Sequence, residues 1–361
     1  MAADTEYPRP VPLPKTIRII GAYAGDTGDV VIDGVDDVEG AKTMMEKMEY
    51  FRDKRDDIRQ LLLYEPRGRP TMFINVVLKP CQKAHKGLVI MGSQTYPHMS
   101  GSNVICVVTV LIQKEIIQVE TNPQPVVLDT PAGLVNTLAK IDNGKCVSVS
   151  FENVPAFLFG SWQIGFRDEL VTVDIAYGGV TFAMVSAKNV GAILRDSHSR
   201  ELLQLGAGIK KAIEKAISRK HIPEPVHPDA DKGIRGIGAV MLYDEVYTQG
   251  PYTTKCITAS ILPPGRIDRS PAGTGTSALM ASLAQKGKLG ERFENQCYLG
   301  TTFKGSVTPG KRDIEVGCYK AIHTTIEGRA FLTGERTAYV DRYDPNPYGF
   351  KVGDIWPPAE K

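Results

Sequence analysis

Hydrophobic and polar positions along this chain change period several times, and the changes divide it into elements. Ile17-Arg18-Ile19-Ile20 reads as a strand, a glycine-rich turn spans Gly21 to Gly28, and Val30-Val31-Ile32 reads as a second strand. From Val38 to Leu63 the apolar positions (Met44, Met45, Met48, Phe51, Ile58, Leu61, Leu62) fall at three- and four-residue steps, which predicts helix. Glu65-Pro66-Arg67-Gly68 stops it. Residues 71–92 and 117–128 carry short β-branched runs separated by Pro and Gly, a meandering sheet rather than a repeated βαβ pattern. Leu134 to Ile141 is expected as a short helix and Cys146 to Phe151 as a strand. Glu201 to Lys220 is an amphipathic helix, with Leu202, Leu203, Leu205, Ile209, Ile213 and Ile217 along one side. Gly236 to Tyr243 and Thr254 to Leu262 are strands, and further short strands run to Phe350. Residues 1–15, with Pro8, Pro10, Pro12 and Pro14, read as a flexible tail.

Two segments share one pattern. Met99-Ser100-Gly101-Ser102-Asn103 leads into the apolar run Val104 to Ile112, and Pro271-Ala272-Gly273-Thr274-Gly275 leads into Thr276 to Ala284. Val104 to Ile112 is β-branched and apolar on every face, so propensity alone makes it a strand. The repeat overrides that, because the sister segment is rich in helix formers and duplicated halves share a shape. A helix apolar all round belongs inside a domain, wrapped by sheet. Both helices would begin with free backbone N–H groups, and two such ends facing one cleft would grip an anion. The expected fold class is α+β, built twice.

Composition narrows the function. The chain has 361 residues, 42% of them apolar, which supports two domains. Lys plus Arg number 43 against 41 Asp plus Glu, a net charge of +2 without long runs of one sign, so a small-molecule substrate fits better than nucleic acid. Cys81, Cys106, Cys146, Cys256, Cys297 and Cys318 show no CxxC spacing and read as mostly buried free thiols. The histidines (His85, His98, His198, His221, His227, His323) have no HxH or HxxxH spacing, and no metal or cofactor is expected. Without an apolar leader or a membrane-length apolar run, a cytoplasmic protein is expected; a homodimer is left open.

Motifs along nearly the whole chain resemble the proline racemase superfamily, which includes proline racemase, 4-hydroxyproline epimerase and trans-3-hydroxyproline dehydratase. They are Glu65-Pro66-Arg67-Gly68, Asp129-Thr130-Pro131-Ala132-Gly133-Leu134, Asn153-Val154-Pro155-Ala156-Phe157 and Asp174-Ile175-Ala176-Tyr177-Gly178-Gly179. Asp268-Arg269-Ser270-Pro271, Gly273-Thr274-Gly275, Gly300-Thr301-Thr302-Phe303-Lys304-Gly305, Asp344-Pro345 and Gly349-Phe350 continue the order. The resemblance implies the fold of diaminopimelate epimerase: two similar domains, each a curled sheet around a central helix, with the site between them. The expected division is 16–164 plus 330–361 against 165–329. The resemblance also implies that both helix N-termini hold a substrate carboxylate, that Asp268 contacts the amine, and that two thiols flank the α-carbon.

Here the sequence departs from that pattern. The first thiol position is Ser100, a family histidine is replaced by Ser102, and the second thiol position is Ala272. The strand that carries Asp-x-His in the family reads Arg18-Ile19-Ile20-Gly21-Ala22. Two-base racemisation is therefore disfavoured, since alanine transfers no proton and serine is a weak base unless a neighbour activates it. One-base chemistry, such as elimination of water, survives the loss. His98, two residues before Ser100, is a candidate activator or a plain loop histidine; Tyr96, Asp26 and His85 are further candidate bases. Gly101, Ser102, Asp268, Gly273 and Thr274 are the expected substrate-binding residues, with capping as the structural alternative. Three readings stay open: a divergent isomerase or lyase, an inactive binding protein, and an enzyme recruited to a larger non-amino-acid substrate in specialised biosynthesis. An apolar lining near Tyr96, Ala272 and Phe303 would favour the last.

Overall fold

The computed structural model describes residues 16–229, 233–244, 247–249, 252–263, 265–341 and 343–356. The expected tail, 1–15, lies outside them. The first half runs β1 (Thr16–Ala24), β2 (Asp26–Asp33), α1 (Met44–Lys54), α2 (Asp56–Leu63), β3 (Met72–Leu78), β4 (Lys86–Gly92), α3 (Gly101–Gln113), β5 (Gln124–Thr130), β6 (Gly133–Asp142) and β7 (Lys145–Glu152). The second half runs β8 (Ala156–Phe166), β9 (Glu169–Tyr177), β10 (Thr181–Ser186), α4 (Ser199–Ser218), β11 (Ala239–Tyr243), β12 (Tyr247–Gln249) and β13 (Thr253–Leu262). It continues through β14 (Arg266–Ile267), α5 (Gly273–Gln285), β15 (Arg292–Cys297), β16 (Thr302–Val307), β17 (Ile314–Val316), β18 (Tyr319–Ile322) and β19 (Thr324–Gly328), and β20 (Phe331–Tyr339) follows.

Strand pairing reveals the duplication. In the order β20-β1-β2-β3-β4-β5-β6-β7 the ladders are antiparallel, antiparallel, parallel, antiparallel, parallel, antiparallel and antiparallel. The order β8-β9-β10-β11-β13-β15-β16-β19 repeats the same succession. An antiparallel β7–β19 ladder joins the two. Parallel neighbours need a crossover, and helices supply each one: α1–α2 between β2 and β3, α3 between β4 and β5, α4 between β10 and β11, α5 between β13 and β15. The fold is thus α+β, with a curled sheet around a central helix in each half.

The strand that opens each half follows the last strand of the other, since β7 leads into β8 and β19 into β20. The division expected at 164 falls inside β8, an unbroken strand paired with β9 and β18. We propose that the chain crosses between halves at 153–155 and 329–330.

Burial explains why Val104 to Ile112 is helical. Val104, Ile105, Val107, Val108, Val110 and Leu111 are all fully buried in α3, each contributing about 1.5–3 kcal/mol. The helix-propensity cost of a β-branched residue is only about half a kcal/mol. The same core takes in α5 through Ala278, Leu279, Met280 and Leu283. Helices α1 and α2 cover the outer face of β3 to β5, and α4 covers the outer face of the second half.

Three local expectations are corrected. Leu134 to Ile141 is strand β6, not helix: Val135, Thr137 and Ala139 are buried, while Leu134, Asn136, Leu138 and Lys140 are exposed, a period of two. The turn placed at Gly21 to Gly28 shrinks to Gly25, at φ 89°, with Ala24 opposite Asp26. The helix over Val38 to Leu63 starts at Met44 behind the N-cap Thr43 and breaks at Arg55. Among the described residues no helix is long and apolar enough to cross a membrane.

Candidate active site

The amino ends of α3 and α5 meet. A Cβ built on Gly101 would stand 3.6 Å from the Gly273 Cα, and one built on Gly273 would stand 3.6 Å from the Gly101 Cα. The ring of Phe151 on β7 lies beside both, its Cζ 2.6 Å from the first of those positions and 3.3 Å from the second. At 101 only glycine allows so close an approach to the ring, whereas at 273 a methyl would need the ring to yield only slightly. No side chain caps either helix, and neither first turn contains an acidic residue. Each helix end carries roughly half a positive charge, so the juxtaposition is repulsive until an anion lies between the ends.

Each end is held by its own polar scaffold. Ser100 is extended, at φ −150° and ψ 125°. Its hydroxyl oxygen accepts from Asn103 Nδ2 at 2.9 Å and lies 3.3 Å from Ser102 Oγ. Asn103 Oδ1 in turn accepts from Asn75 Nδ2 at 2.9 Å, tying the start of α3 to β3. Ala272 has φ 57° and ψ 97°, a strained conformation for a residue with a side chain. It is fixed by a relay in which its N–H donates to Ser270 Oγ (3.1 Å) and that hydroxyl donates to Asp268 Oδ1 (2.8 Å). Asn295 Nδ2 holds the carbonyl of Pro271 from β15 at 2.9 Å.

Asp268 is buried, and burial is the largest influence pushing its carboxyl well above the ordinary range; the charge of Asp26 and a hydrogen bond to it act in the same direction. Donation from the Ser270 N–H and hydroxyl opposes them. Asp26, at the start of β2, accepts from the Arg269 N–H at 3.1 Å. Burial pushes up the thiols of Cys106 and Cys297; the Asp26 and Asp29 carboxylates add to it at Cys106, while the backbone N–H groups of Leu299 and Thr301 oppose it at Cys297, and both thiols stay protonated near neutral pH.

The structure gathers Ser100, Gly101, Ser102, Asp268, Ala272, Gly273 and Thr274 around this junction, with Asp26 beside Asp268. Among the described residues none of the other candidate bases is hydrogen-bonded to Ser100 or Asp268. His98 is exposed, and the bonds of Ser100 Oγ run to Asn103 and Ser102 instead of to it. Tyr96 donates to Asp56 at 2.8 Å, and burial followed by the Asp56 charge raises its phenol. His85, just before β4, accepts from the Val127 N–H of β5. Phe303 is fully buried against Gly328.

Asn75, Asn103, Phe151, Asn153 and Ser270 were missed as site residues. A lone Asn in the apolar strand Met72-Phe73-Ile74-Asn75-Val76-Val77 was the available signal, since a buried amide needs partners. Asn153 donates to Gly178 O and Ser277 Oγ, both at 2.7 Å. A Cβ on Gly178 would lie 2.3 Å from the Thr274 carbonyl, so this glycine lets β9 seat the first turn of α5. A cavity of about 350 Å³ lies beside Arg269 and Tyr298, and another of about 670 Å³ beside Arg67 and Arg336; neither is lined by the helix ends.

Comparison with known proteins agrees with this architecture. The family model described as proline racemase matches residues 19–351. A proline racemase of Acetoanaerobium sticklandii is 33% identical over 345 residues, spanning 94% of this chain and 99% of its own. The crystal structure of a hydroxyproline epimerase from Agrobacterium vitis, with bound trans-4-hydroxy-L-proline, matches with a TM-score of 0.80 and 30% identity over 95% of this chain and 96% of its own. A probable proline racemase from Agrobacterium radiobacter, with bound carbonate, matches with a TM-score of 0.78 and 30% identity over 95% and 98%. This chain, with its facing helix ends and duplicated sheet, belongs to the proline racemase family.

Proposed function

We propose that this protein is a cofactor-independent isomerase or dehydratase-like lyase that holds a small carboxylate between the amino ends of α3 and α5 and moves protons on one face of it. The mutual contact of Gly101 and Gly273 carries the reading, because two uncapped helix ends aimed at one point favour negative charge there. Gly101, Ser102, Gly273 and Thr274 would supply the amides. Asp268 would orient the substrate.

The two faces differ chemically. Ser100 Oγ accepts from Asn103 and lies 3.3 Å from Ser102 Oγ, so its own proton can go either to Ser102 or, where Ser102 is the donor of that pair, to a bound substrate. Ala272 offers only a methyl group. Racemisation through two bases needs a proton-transferring group on each face, whereas elimination of water or double-bond migration can use one. The crystal structure of the Agrobacterium vitis relative holds trans-4-hydroxy-L-proline, so hydroxyprolines and proline are the first compounds to test. In deuterated water, NMR of these substrates should show α-proton exchange without racemisation, or loss of water. Racemisation of proline would overturn the one-face chemistry. A Ser100→Ala variant that kept full turnover would remove the role given to that hydroxyl.

One observation favours a second reading, a binding protein without turnover. The partners of Ser100 Oγ are an amide and a hydroxyl, and neither can take its proton as a base. Measurable binding with no exchange and no loss of water would select it.

A further inference from the structure

We infer that Asp26 is a positioning residue that shares one proton with Asp268 across the seam between the two halves, and that this proton holds the two sides of the cleft together. The two residues come from opposite halves: Asp26 opens β2 just after the Gly25 turn, and Asp268 follows β14 on the way into α5. The contact is tight. A Cβ on Gly25, at φ 89°, would stand 2.5 Å from Ser270 Cα and 2.7 Å from the Arg269 carbonyl. The Arg269 N–H donates to Asp26 Oδ1 at 3.1 Å, so the tip of the hairpin is bonded to the backbone beside Asp268.

Asp26 and Asp268 are 7% and 8% exposed, and their carboxyls sit on neighbouring backbone amides, Asp26 Oδ1 accepting from the Arg269 N–H at 3.1 Å and Asp268 Oδ1 from the Ser270 N–H at 2.8 Å. Two buried carboxylates held on adjacent amides repel when both are ionised and can only accept hydrogen bonds, and a proton on Asp268 turns that repulsion into a donor toward Asp26. Among the described residues neither has an ion-pair partner that could replace that proton. The groups facing the pair do not supply one either. Cys106 on α3 senses Asp26 and Asp29, while Cys297 on β15 and the following Tyr298 sense Asp268. Arg269 is the cation of this set, and its guanidinium donates to the Ile267 carbonyl. Removing the shared proton would leave two buried negative charges in contact, and the least costly relief is withdrawal of the Gly25 turn from the Arg269–Ser270 backbone.

The inference deepens the proposed function in that Asp268 lines the same cleft. Its test reads protonation and local opening in the full-length protein, so it fails or survives separately from any result on turnover. Infrared spectra of the wild type at neutral pH should show the carbonyl stretch of a protonated carboxylic acid, absent from both Asp26→Asn and Asp268→Asn. Hydrogen exchange at Gly25, Arg269 and Ser270 should accelerate with rising pH beyond the general rise, at the pH where that band disappears. In Asp26→Asn the step should vanish, because the new amide can donate to an ionised Asp268. If either variant does not fold, the wild-type band and exchange profile decide alone. Absence of the band, or an exchange step that persists unchanged in Asp26→Asn, overturns the inference.

Discussion

Gly101 and Gly273 face each other at the amino ends of α3 and α5, with the Phe151 ring beside both, and their approaches to that ring are unequal. A methyl group at 101 would come within 2.6 Å of Phe151 Cζ, one at 273 within 3.3 Å. Gly101→Ala should therefore force the ring aside and cost about 1–3 kcal/mol. Gly273→Ala should lie within about 1 kcal/mol of the parent, since a slight yielding of the ring is offset by better helix propensity. Denaturant melts of both variants measure this. On a Phe151→Leu background the cost of Gly101→Ala should shrink, and an unchanged cost would show that the ring is not what the methyl meets.

Much of this junction could be read from the chain because the repeat carries information that propensity lacks. The stretch Val104 to Ile112 favours strand residue by residue, and only its likeness to Thr276 to Ala284 made it a helix. The capping pattern around Gly101 and Gly273 also located the helix starts. What stayed hidden was contact at long range. Asp26 comes to lie beside Asp268, and Asn75 meets Asn103, through a curled sheet whose register no local pattern encodes. The β6 error has a similar origin: Leu134 and Leu138 are apolar yet 45% and 46% exposed, so they imitate a helical face that the sheet does not bury.

The thiols offer a direct check on displaced sulfur chemistry. Cys106 is fully buried, and burial followed by the Asp26 and Asp29 carboxylates raises its thiol. Cys256 is pushed up by burial, while Cys318 is exposed. Since the thiolate is the reacting form, brief alkylation of the native protein at neutral pH should label Cys318 first and leave Cys106, Cys256 and Cys297 unmodified. Peptide mapping reads the outcome. Rapid labelling of Cys106 would mean that an active thiol survives one turn inside α3.

Tyr96 has a structural partner that explains its place. Burial alone would raise the Asp56 carboxyl, but donation from Arg59 and Gln60, the Arg59 charge and the Tyr96 hydroxyl together hold it below its usual value. A carboxyl lowered in the folded state stabilises the protein above its unfolded value and loses that contribution as pH falls through the folded one. Tyr96→Phe should cost about 1–2 kcal/mol at neutral pH. The difference from wild type should narrow in acid, below the ordinary carboxylate range. Melting temperatures across pH test this, and any turnover found should be unchanged.

Restoring sulfur at the two helix ends tests the placement of Ser100 and Ala272 most directly. Ala272 already bears a Cβ at φ 57°, so Ala272→Cys adds no backbone strain beyond what the fold sustains. A thiol at the amino end of a helix is acidified, so part of it is thiolate near neutral pH. Each single variant has a base on one face and cannot invert the α-carbon. The Ser100→Cys, Ala272→Cys double variant has one on each face, and should exchange the α-proton of proline or hydroxyproline from both enantiomeric forms, with a rate that falls as acid protonates the thiols. The double variant must first match the wild type in circular dichroism and melting temperature. If it does, and neither enantiomer exchanges, the two positions do not flank the reacting carbon, and the carboxylate lies elsewhere than between the helix ends.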